Sequence, residues 1–345
     1  MLFPCLPPFE EDFGGPSSAW HGHADPNLTY AVELVATMGL DKSGGKIATE
    51  KPPPTFGAAA DGDADRNMIL SSQFFVSPSD SLAMIVANCD CIPQFKAGLK
   101  GCARSMPTSG ALDLVAKKKG IACFEVPTGW KFFGNLMDTA APATSRTRPP
   151  TLRSSAARSL SGPGRTTSRE KDGMWAVLAW LQILAVKTEQ QGKLVTVQDD
   201  VAEAHWKEYG RNYYARYDYE NVDKKKAEKM MATMTEQAGK LTGNLVEGMK
   251  IAKNDVFEYN DPVDGSVSKN QGIRFIFEDG SRIIFRLSGT GVAGATVRMY
   301  LEKYEPPTGD LSKHQFDVVK PLAEVALKLS GLKAFTGVDT PTVIT

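Results

Sequence analysis

The stretch GCARSMPTSGALDLVAKKKGIACFEVP, residues 101–127, decides the fold class. GCARSMPTSG reads as a strand and a turn, which lead into a helix over 111–119. Gly120 ends that helix, since glycine takes the left-handed conformation that closes a helix C-terminus. IACFEVP reads as a second strand. Strand, helix, strand in so short a run is the signature of an α/β unit.

The pattern extends upstream. FFV (74–76) reads as a short strand leading to a helix over 79–88, with Ser77-Pro78 placed as N-cap and first helical residue. Residues 1–60 are rich in Pro, Gly and polar side chains around one helical pattern, Leu28 to Met38, which Asn27 caps and Gly39 ends. Downstream, TGWKFFGNLMD (128–138) reads as a loop. A strongly apolar helix, MWAVLAWLQILAV, covers 174–186 and reads as a core helix because it is apolar nearly all round. A second helix is expected near 197–209, then a Tyr-rich loop, then a Lys-rich amphipathic helix from about 222 to 240. IRFIFEDGSRIIFRL (273–287) is a hairpin around Asp279-Gly280. VRMYLEKYE is a further strand and VVKPLAEVALKLSGL a terminal helix. The whole is α/β with mixed sheets, followed by a C-terminal α+β domain that looks complete enough to fold alone from about residue 201. No internal repeat is visible.

Composition removes several classes of function. The 345 residues carry 40 Lys plus Arg against 40 Asp plus Glu, which argues against a general nucleic-acid binder. No apolar run approaches the roughly 20 residues of a membrane helix. The start, MLFPCLPPFEEDFGG, has no basic region before its apolar residues, so no secretory signal is expected. Five cysteines without zinc-like pairing suggest reduced thiols.

Two motifs carry chemistry. In DGDADR the carboxylates of Asp61, Asp63 and Asp65 alternate, and three acids so close repel unless a cation sits among them. Oxygen ligands of this kind select Mg²⁺ or Ca²⁺. A calcium EF-hand is excluded, because loop positions 6 and 12 hold Arg66 and Ser72. The spacing alone leaves a metal loop and an acidic solvated turn level. Arg66, beside the acids, suits an approaching phosphate. The second motif, RLSGTGVAGATVRMY (286–300), contains Gly289, Gly291 and Gly294 in a formal G-x-G-x-x-G. A dinucleotide site would need a following helix, and here the glycines lead to β-prone residues. Arg286, Ser288, Thr290 and Arg298 around a glycine-bent backbone suit a phosphate cradle; a glycine-rich turn with incidental arginines is the competing reading. Lys171 and Thr128-Gly129-Trp130 are weaker signals. His21, His23, His205 and His314 form no ligand or triad spacing.

Taken in order, these motifs closely resemble the phosphoglucomutase family of the α-D-phosphohexomutase superfamily. FGAAADGDADRNMIL is similar to that family's metal loop, and CARSMPTSGAL, VPTGWKFFGNLMD, REKDGMWAVLAWLQILA and RLSGTGVAGATVRMY match its segments nearly word for word. The resemblance implies a partial second domain with the metal loop (1–90), a third domain (91–200) and a phosphate-binding fourth domain (201–345). It implies interconversion of glucose 1-phosphate and glucose 6-phosphate through glucose 1,6-bisphosphate, with Mg²⁺ on Asp61, Asp63 and Asp65. Arg66 would lie beside the metal, Thr128 and Gly129 would face the sugar, and Lys171 would orient phosphate. Arg286, Ser288, Gly289, Thr290, Gly291 and Arg298 would hold the phosphate not being transferred. It further implies a monomer acting on hexose phosphates, without nucleic acid or membrane. The location implied is cytoplasmic, or plastid if a transit peptide belongs to the gene.

The chain departs from the family pattern in two places. No T-A-S-H-N-P occurs, so the phosphoryl-carrying serine of an N-terminal domain is absent and the chain reads as truncated, with little or no mutase activity of its own. A non-catalytic phosphosugar-binding or interaction fragment is the alternative. The sugar-reading G-E-E-S-F-G is also missing before REKDG. In its place stands TAAPATSRTRPPTLRSSAARSLSGPGRTTS (139–168), with five Arg and no acid, a composition that reads as a basic disordered linker. A family-like run I-C-G-E-E-S-F-G-T-G-S-D-H-I, written in one set of its codons and read one nucleotide late, gives S-A-A-R-S-L-S-G-P-G-R-T-T-S, which is Ser155 to Ser168 residue for residue. We take the stretch as a shifted-frame translation of the sugar-binding loop. A resequenced transcript with no E-E-S-F-G in the neighbouring frame refutes this.

Overall fold

The computed structural model describes residues 25–99, 101–138, 155–156, 171–288 and 294–345. Asn27 holds a turn with its own side chain: Oδ1 accepts the backbone N–H groups of Thr29 (2.9 Å) and Tyr30 (3.0 Å). The helix α1 (Val32–Thr37) therefore starts four residues later than the pattern suggests, and the chain leaves it at Gly39, where φ is +74°. β1 (Gly57–Ala60), β2 (Asn67–Ser71) and β3 (Phe74–Val76) form an antiparallel meander, and residues 61–66 are the β1–β2 loop. α2 (Pro78–Ala87) follows, opened by Pro78 as expected.

β4 (Gly101–Ser105), α3 (Ala111–Lys119) and β5 (Ala122–Val126) are the α/β unit read from the sequence, with β4 and β5 parallel. The next segment corrects the sequence reading. TGWKFFGNLMD is not a loop: α4 spans Trp130–Asp138. Gly134 costs a helix about 1 kcal/mol, but Phe132, Phe133 and Leu136 are buried together with Ala103 and Val126, and that packing overrides the local penalty. Ser155–Ala156, labelled β6, pairs in parallel with the other edge of β4; the rest of 139–168 lies outside the described residues. α5 (Gly173–Gln191) buries Trp175, Ala176, Ala179, Trp180 and Ile183, while Met174 and Leu178 stay exposed on one stripe. It is thus a core helix on one side only.

A wide turn at Val197–Ala202 leads into α6 (Glu203–Tyr209). The Tyr-rich run is a second correction: it is the long strand β7 (Arg211–Val222), not a loop. Its alternation is the reason. Tyr213, Ala215 and Tyr219 join the apolar core on one face, and Tyr214, Arg216 and Asp218 take the other. α7 (Lys224–Glu236), β8 (Leu245–Val246), β9 (Met249–Val256), a small hairpin of β10 (Tyr259–Asn260) with β11 (Val267–Ser268), β12 (Ile273–Phe277), β13 (Arg282–Ser288), β14 (Ala295–Glu305), α8 (Gln315–Ser330), α9 (Leu332–Thr336) and β15 (Val343–Ile344) complete the chain. The seven-stranded antiparallel sheet has the order β15-β7-β14-β13-β12-β9-β8. α7, α8 and α9 cover one face of it, burying Met230, Met234, Phe275, Phe285, Val319 and Leu322. The other face meets the α/β unit through Met106, Tyr214, Phe257, Ile284 and Tyr300.

Polar contacts tie those two units together. Arg104 of β4 grips Asp113 through Nε (2.7 Å) and Nη2 (2.6 Å) and reaches Glu125 at 2.9 Å. Arg274 of β12 holds the other oxygen of Glu125 at 2.8 Å and Asp255 in bidentate fashion.

One buried acid gives stability a pH dependence. Asp80, at the start of α2, is 4% exposed, and burial pushes its carboxyl up to about 7 although Arg211 and the Trp206 Nε1–H (3.3 Å from Oδ2) pull it back. A raised acid favours the folded state most below about pH 4, and the advantage is lost as pH climbs through about 7. Asp80→Asn is therefore expected to melt higher than the parent at pH 8, with the gap shrinking by pH 5. The ceiling is on the order of 4 kcal/mol at about 1.4 kcal/mol per unit. Melting curves that run parallel at the two pH values sink this expectation.

Candidate active site

The aspartate loop is shaped by its own backbone hydrogen bonds. The Arg66 N–H donates to Asp61 Oδ1 (3.0 Å), and the Ala64 N–H to the Asp61 carbonyl (2.9 Å). Ala64 itself sits at φ +56°. The N-terminus of α5 then locks on from outside. Asp172 caps that helix by accepting the Trp175 N–H (2.8 Å), and the Gly173 N–H donates to the Ala64 carbonyl (2.8 Å). Gly173 is the residue that permits this approach: a Cβ there would lie 2.5 Å from the Arg66 carbonyl oxygen.

Within this frame one carboxylate oxygen from each of Asp61, Asp63 and Asp65 lies within 4.8 Å of the others. The Lys171 ammonium pairs with Asp65. The Arg66 guanidinium spans Asp25 (3.0 Å), Asp61 (3.5 Å) and Asp65 (3.5 Å). Asp65 Oδ1 is buried and accepts no hydrogen bond. Arg66 Nε, 3.5 Å away, compensates that oxygen in part, and a hard divalent cation among the three carboxylates would supply the remaining charge. The donor set fits Mg²⁺.

The second cluster lies on the face of the large sheet turned away from its helices. Register places Arg286 opposite Arg298, Ser288 opposite Thr296, and Arg298 opposite Asp218. Asp218 is buried between two arginines, with Arg216 Nε at 3.0 Å and Arg298 Nε at 3.6 Å. Burial pushes its carboxyl up from the ordinary range, and the two guanidinium groups restrain the rise. Arg216, Arg286 and Arg298 gather on this face around Asp218. Arg286 is steadied by the Gln271 carbonyl (3.1 Å). Gly289, Thr290 and Gly291 lie outside the described residues.

Tyr30 feels acids of both clusters. Burial raises its phenol, and the charges of Glu220, Asp25 and Asp218 raise it further, so it stands near both the acid that holds Arg66 and the acid that holds Arg298. Thr128 and Gly129 precede α4. Gly129 has φ +144°, and both Thr128 Oγ1 and Trp130 Nε1 are buried without a hydrogen-bond partner. Those two groups match a hydroxyl-bearing ligand, although among the described residues no direct contact joins them to either charged cluster.

Sequence reasoning missed Asp25, Gly173, Arg216 and Asp218. Arg216 and Asp218 were legible as an R-x-D alternation, but their facing Arg298 depends on strand pairing.

Two stretches match known domains. Residues 211–342 match "Phosphoglucomutase-1, C-terminal domain", and residues 78–148 match "Phosphoglucomutase/phosphomannomutase, alpha/beta/alpha domain III". Both matched stretches are domains of the phosphoglucomutase family. It is 54% identical over 355 residues to the cytoplasmic phosphoglucomutase of Populus tremula and 53% to cytoplasmic phosphoglucomutase 1 of Zea mays. In the first case the match covers 100% of this chain and 57% of the relative, and the second has the same reach, so the chain spans little more than half the length of these relatives. Among solved structures, the open form of pp63/parafusin, a phosphoglucomutase from Paramecium, superposes with TM-score 0.79 at 50% identity, covering 94% of this chain and 53% of that one. A phosphomannomutase-like protein from Thermus thermophilus shares the fold alone, with TM-score 0.54 at 19% identity over 90% of this chain and 51% of that one. Among the described residues no helix is long and apolar enough to cross a membrane.

Proposed function

We propose that the chain provides the metal-binding and distal-phosphate parts of a cytoplasmic, monomeric phosphoglucomutase that interconverts glucose 1-phosphate and glucose 6-phosphate through glucose 1,6-bisphosphate. The convergence of the Asp61, Asp63 and Asp65 carboxylates beside the Arg66 and Lys171 cations carries the reading. The proposed division follows the sequence: a partial second domain with the metal loop (1–90), a third domain (91–200) and a fourth domain from 201.

Asp61, Asp63 and Asp65 would hold Mg²⁺, which supplies positive charge to a transferring phosphoryl group. Arg66 and Lys171 pair with the acids and present cationic groups beside the incoming phosphate. Arg286, Ser288, Gly289, Thr290, Gly291 and Arg298 hold the remote phosphate. Asp218 positions Arg298 there. Anchoring that end orients the reacting end, which is where entropy is otherwise lost. Thr128 and Gly129 are the sugar contacts in this reading, the buried Thr128 hydroxyl taking a sugar hydroxyl as its partner.

Calorimetric titration of the 345-residue chain with glucose 1,6-bisphosphate in Mg²⁺ tests it. Binding is expected, and Arg298→Ala should weaken it by roughly tenfold or more, the cost of one charge-assisted phosphate contact. Turnover of glucose 1-phosphate by this polypeptide alone should be far below that of a serine-bearing relative. Absence of any binding heat, or parent-like affinity in Arg298→Ala, overturns the proposal.

A further inference from the structure

A cavity of about 610 Å³ lies at the far end of both sheets from the site above. The aspartate loop sits at one end of the β1–β2 hairpin, and Gln73, Phe74 and Phe75 line the cavity from the other. On β7 and β14 the pair Asp218–Arg298 marks the active-site end, while Arg211 pairs with Glu305 at the cavity end. Seven strand residues separate the two pairs, roughly 23 Å at 3.3 Å per residue. The volume is in the usual range for small-molecule sites, roughly 300–1,000 Å³.

The walls combine cations with aromatic rings. Among the described lining residues the cations Lys46, Lys207, Lys313 and Arg211 outnumber the acids Glu203 and Asp310. Both acids are engaged: Glu203 by Lys207 (3.7 Å) and Gln198 (3.3 Å), Asp310 by the Ser312 hydroxyl (2.6 Å) and N–H (3.1 Å) and by Lys313 (4.0 Å). Arg211 is the decisive residue. Its guanidinium lies 3.8 Å over the Trp206 ring and 4.3 Å from the Tyr213 ring centre, and its Nη1 donates to the Leu311 (2.6 Å) and Lys313 (3.1 Å) carbonyls. Among the described residues no carboxylate forms an ion pair with it. Burial lowers its pKa, against the pull of the nearby acids Asp80 and Glu203. A rigidly held guanidinium with no carboxylate at ion-pair distance among the described residues, in a cavity lined by more cations than acids, is an anion-binding group. Phe74, Phe75 and Phe316 supply apolar wall beside it.

We propose that this cavity is a second anion site, separate from the mutase site, that takes a small polyanion bearing a planar ring, the chemistry of a nucleoside diphosphate. The cations hold the phosphates and the aromatic wall packs against the ring.

Titration of the whole chain with ADP tests this, in EDTA so that the aspartate loop contributes no metal bridge. ADP should bind, and the double variant Lys46→Glu/Lys207→Glu, at two exposed positions, should bind it at least about tenfold more weakly. That variant should bind glucose 1,6-bisphosphate in Mg²⁺ as the parent does. Arg298→Ala should leave ADP affinity unchanged, and inorganic pyrophosphate, which lacks the ring, should bind about tenfold more weakly than ADP. No heat with ADP, unchanged ADP affinity in the double variant, loss in Arg298→Ala instead, or pyrophosphate equalling ADP each overturns the assignment.

Discussion

Gly173→Ala is expected to lower Mg²⁺ affinity by about 10–100-fold, the range seen when groups that orient metal ligands are disturbed, and to destabilise the fold by about 1–3 kcal/mol, as overpacking does. One methyl group produces both effects. The new Cβ would meet the Arg66 carbonyl oxygen at 2.5 Å, the Arg66 carbonyl carbon at 2.7 Å and the Ala64 carbonyl oxygen at 2.9 Å. All three are backbone atoms, so no rotamer relieves the contact, and α5 must back away from the loop. That retreat breaks the Gly173 N–H bond to Ala64 and moves Lys171 off Asp65. Gly62→Ala is the control. Gly62 lies inside the same loop, but a Cβ there meets nothing within 4 Å, so the substitution should be near silent. Calorimetric Mg²⁺ titration and thermal melts read both variants. A Gly173→Ala protein that binds Mg²⁺ like the parent shows that the helix N-terminus does not shape the loop.

The contrast between Gly62 and Gly173 also shows what the sequence can and cannot disclose. Asp61, Asp63 and Asp65 announce themselves because their spacing places like charges together, and the α/β unit announces itself because period-2 and period-3.6 patterns alternate. Gly173 carries no such mark. Its role depends on a contact with a loop more than a hundred residues earlier. The two corrected elements have the same origin. TGWKFFGNLMD looks irregular locally because of Gly134, and only the burial of Phe133 and Leu136 against the sheet makes it a helix. RNYYARYDYENV looks too polar for a central strand until its alternate faces meet different partners, an apolar core on one and Arg298 on the other. Asp218 belongs to the candidate site through that register, and register is a property of the assembled sheet.

Glu302→Gln is expected to be more damaging still, by about 3–5 kcal/mol, as when one partner of a buried ion pair is removed. Glu302 is 2% exposed in β14, at the junction of the large sheet with the α/β unit. Its Oε1 accepts the Ser109 hydroxyl (2.8 Å), the Gly110 N–H (2.8 Å) and Asn212 Nδ2 (2.5 Å). Its Oε2 takes Arg282 Nε at 2.6 Å and also Arg282 Nη2, and Nη2 reaches on to the Thr108 carbonyl at 2.7 Å. Glutamine keeps the shape but offers one carbonyl oxygen, turns an NH₂ toward donors and strands the Arg282 charge. Asp279→Asn removes an acid from the neighbouring Lys303–Asp279 pair, which is partly exposed, and should cost no more than about 1 kcal/mol. Glu302 also fixes where β14 stands relative to α3, and β14 carries Arg298. Glu302→Gln should therefore weaken glucose 1,6-bisphosphate binding while leaving Mg²⁺ affinity at the aspartate loop intact, because that loop is shaped by α5 instead. Denaturant melts paired with the two titrations separate these effects. Equal stability losses in Glu302→Gln and Asp279→Asn contradict the buried-junction account, and a parallel fall in Mg²⁺ affinity contradicts the independence of the loop.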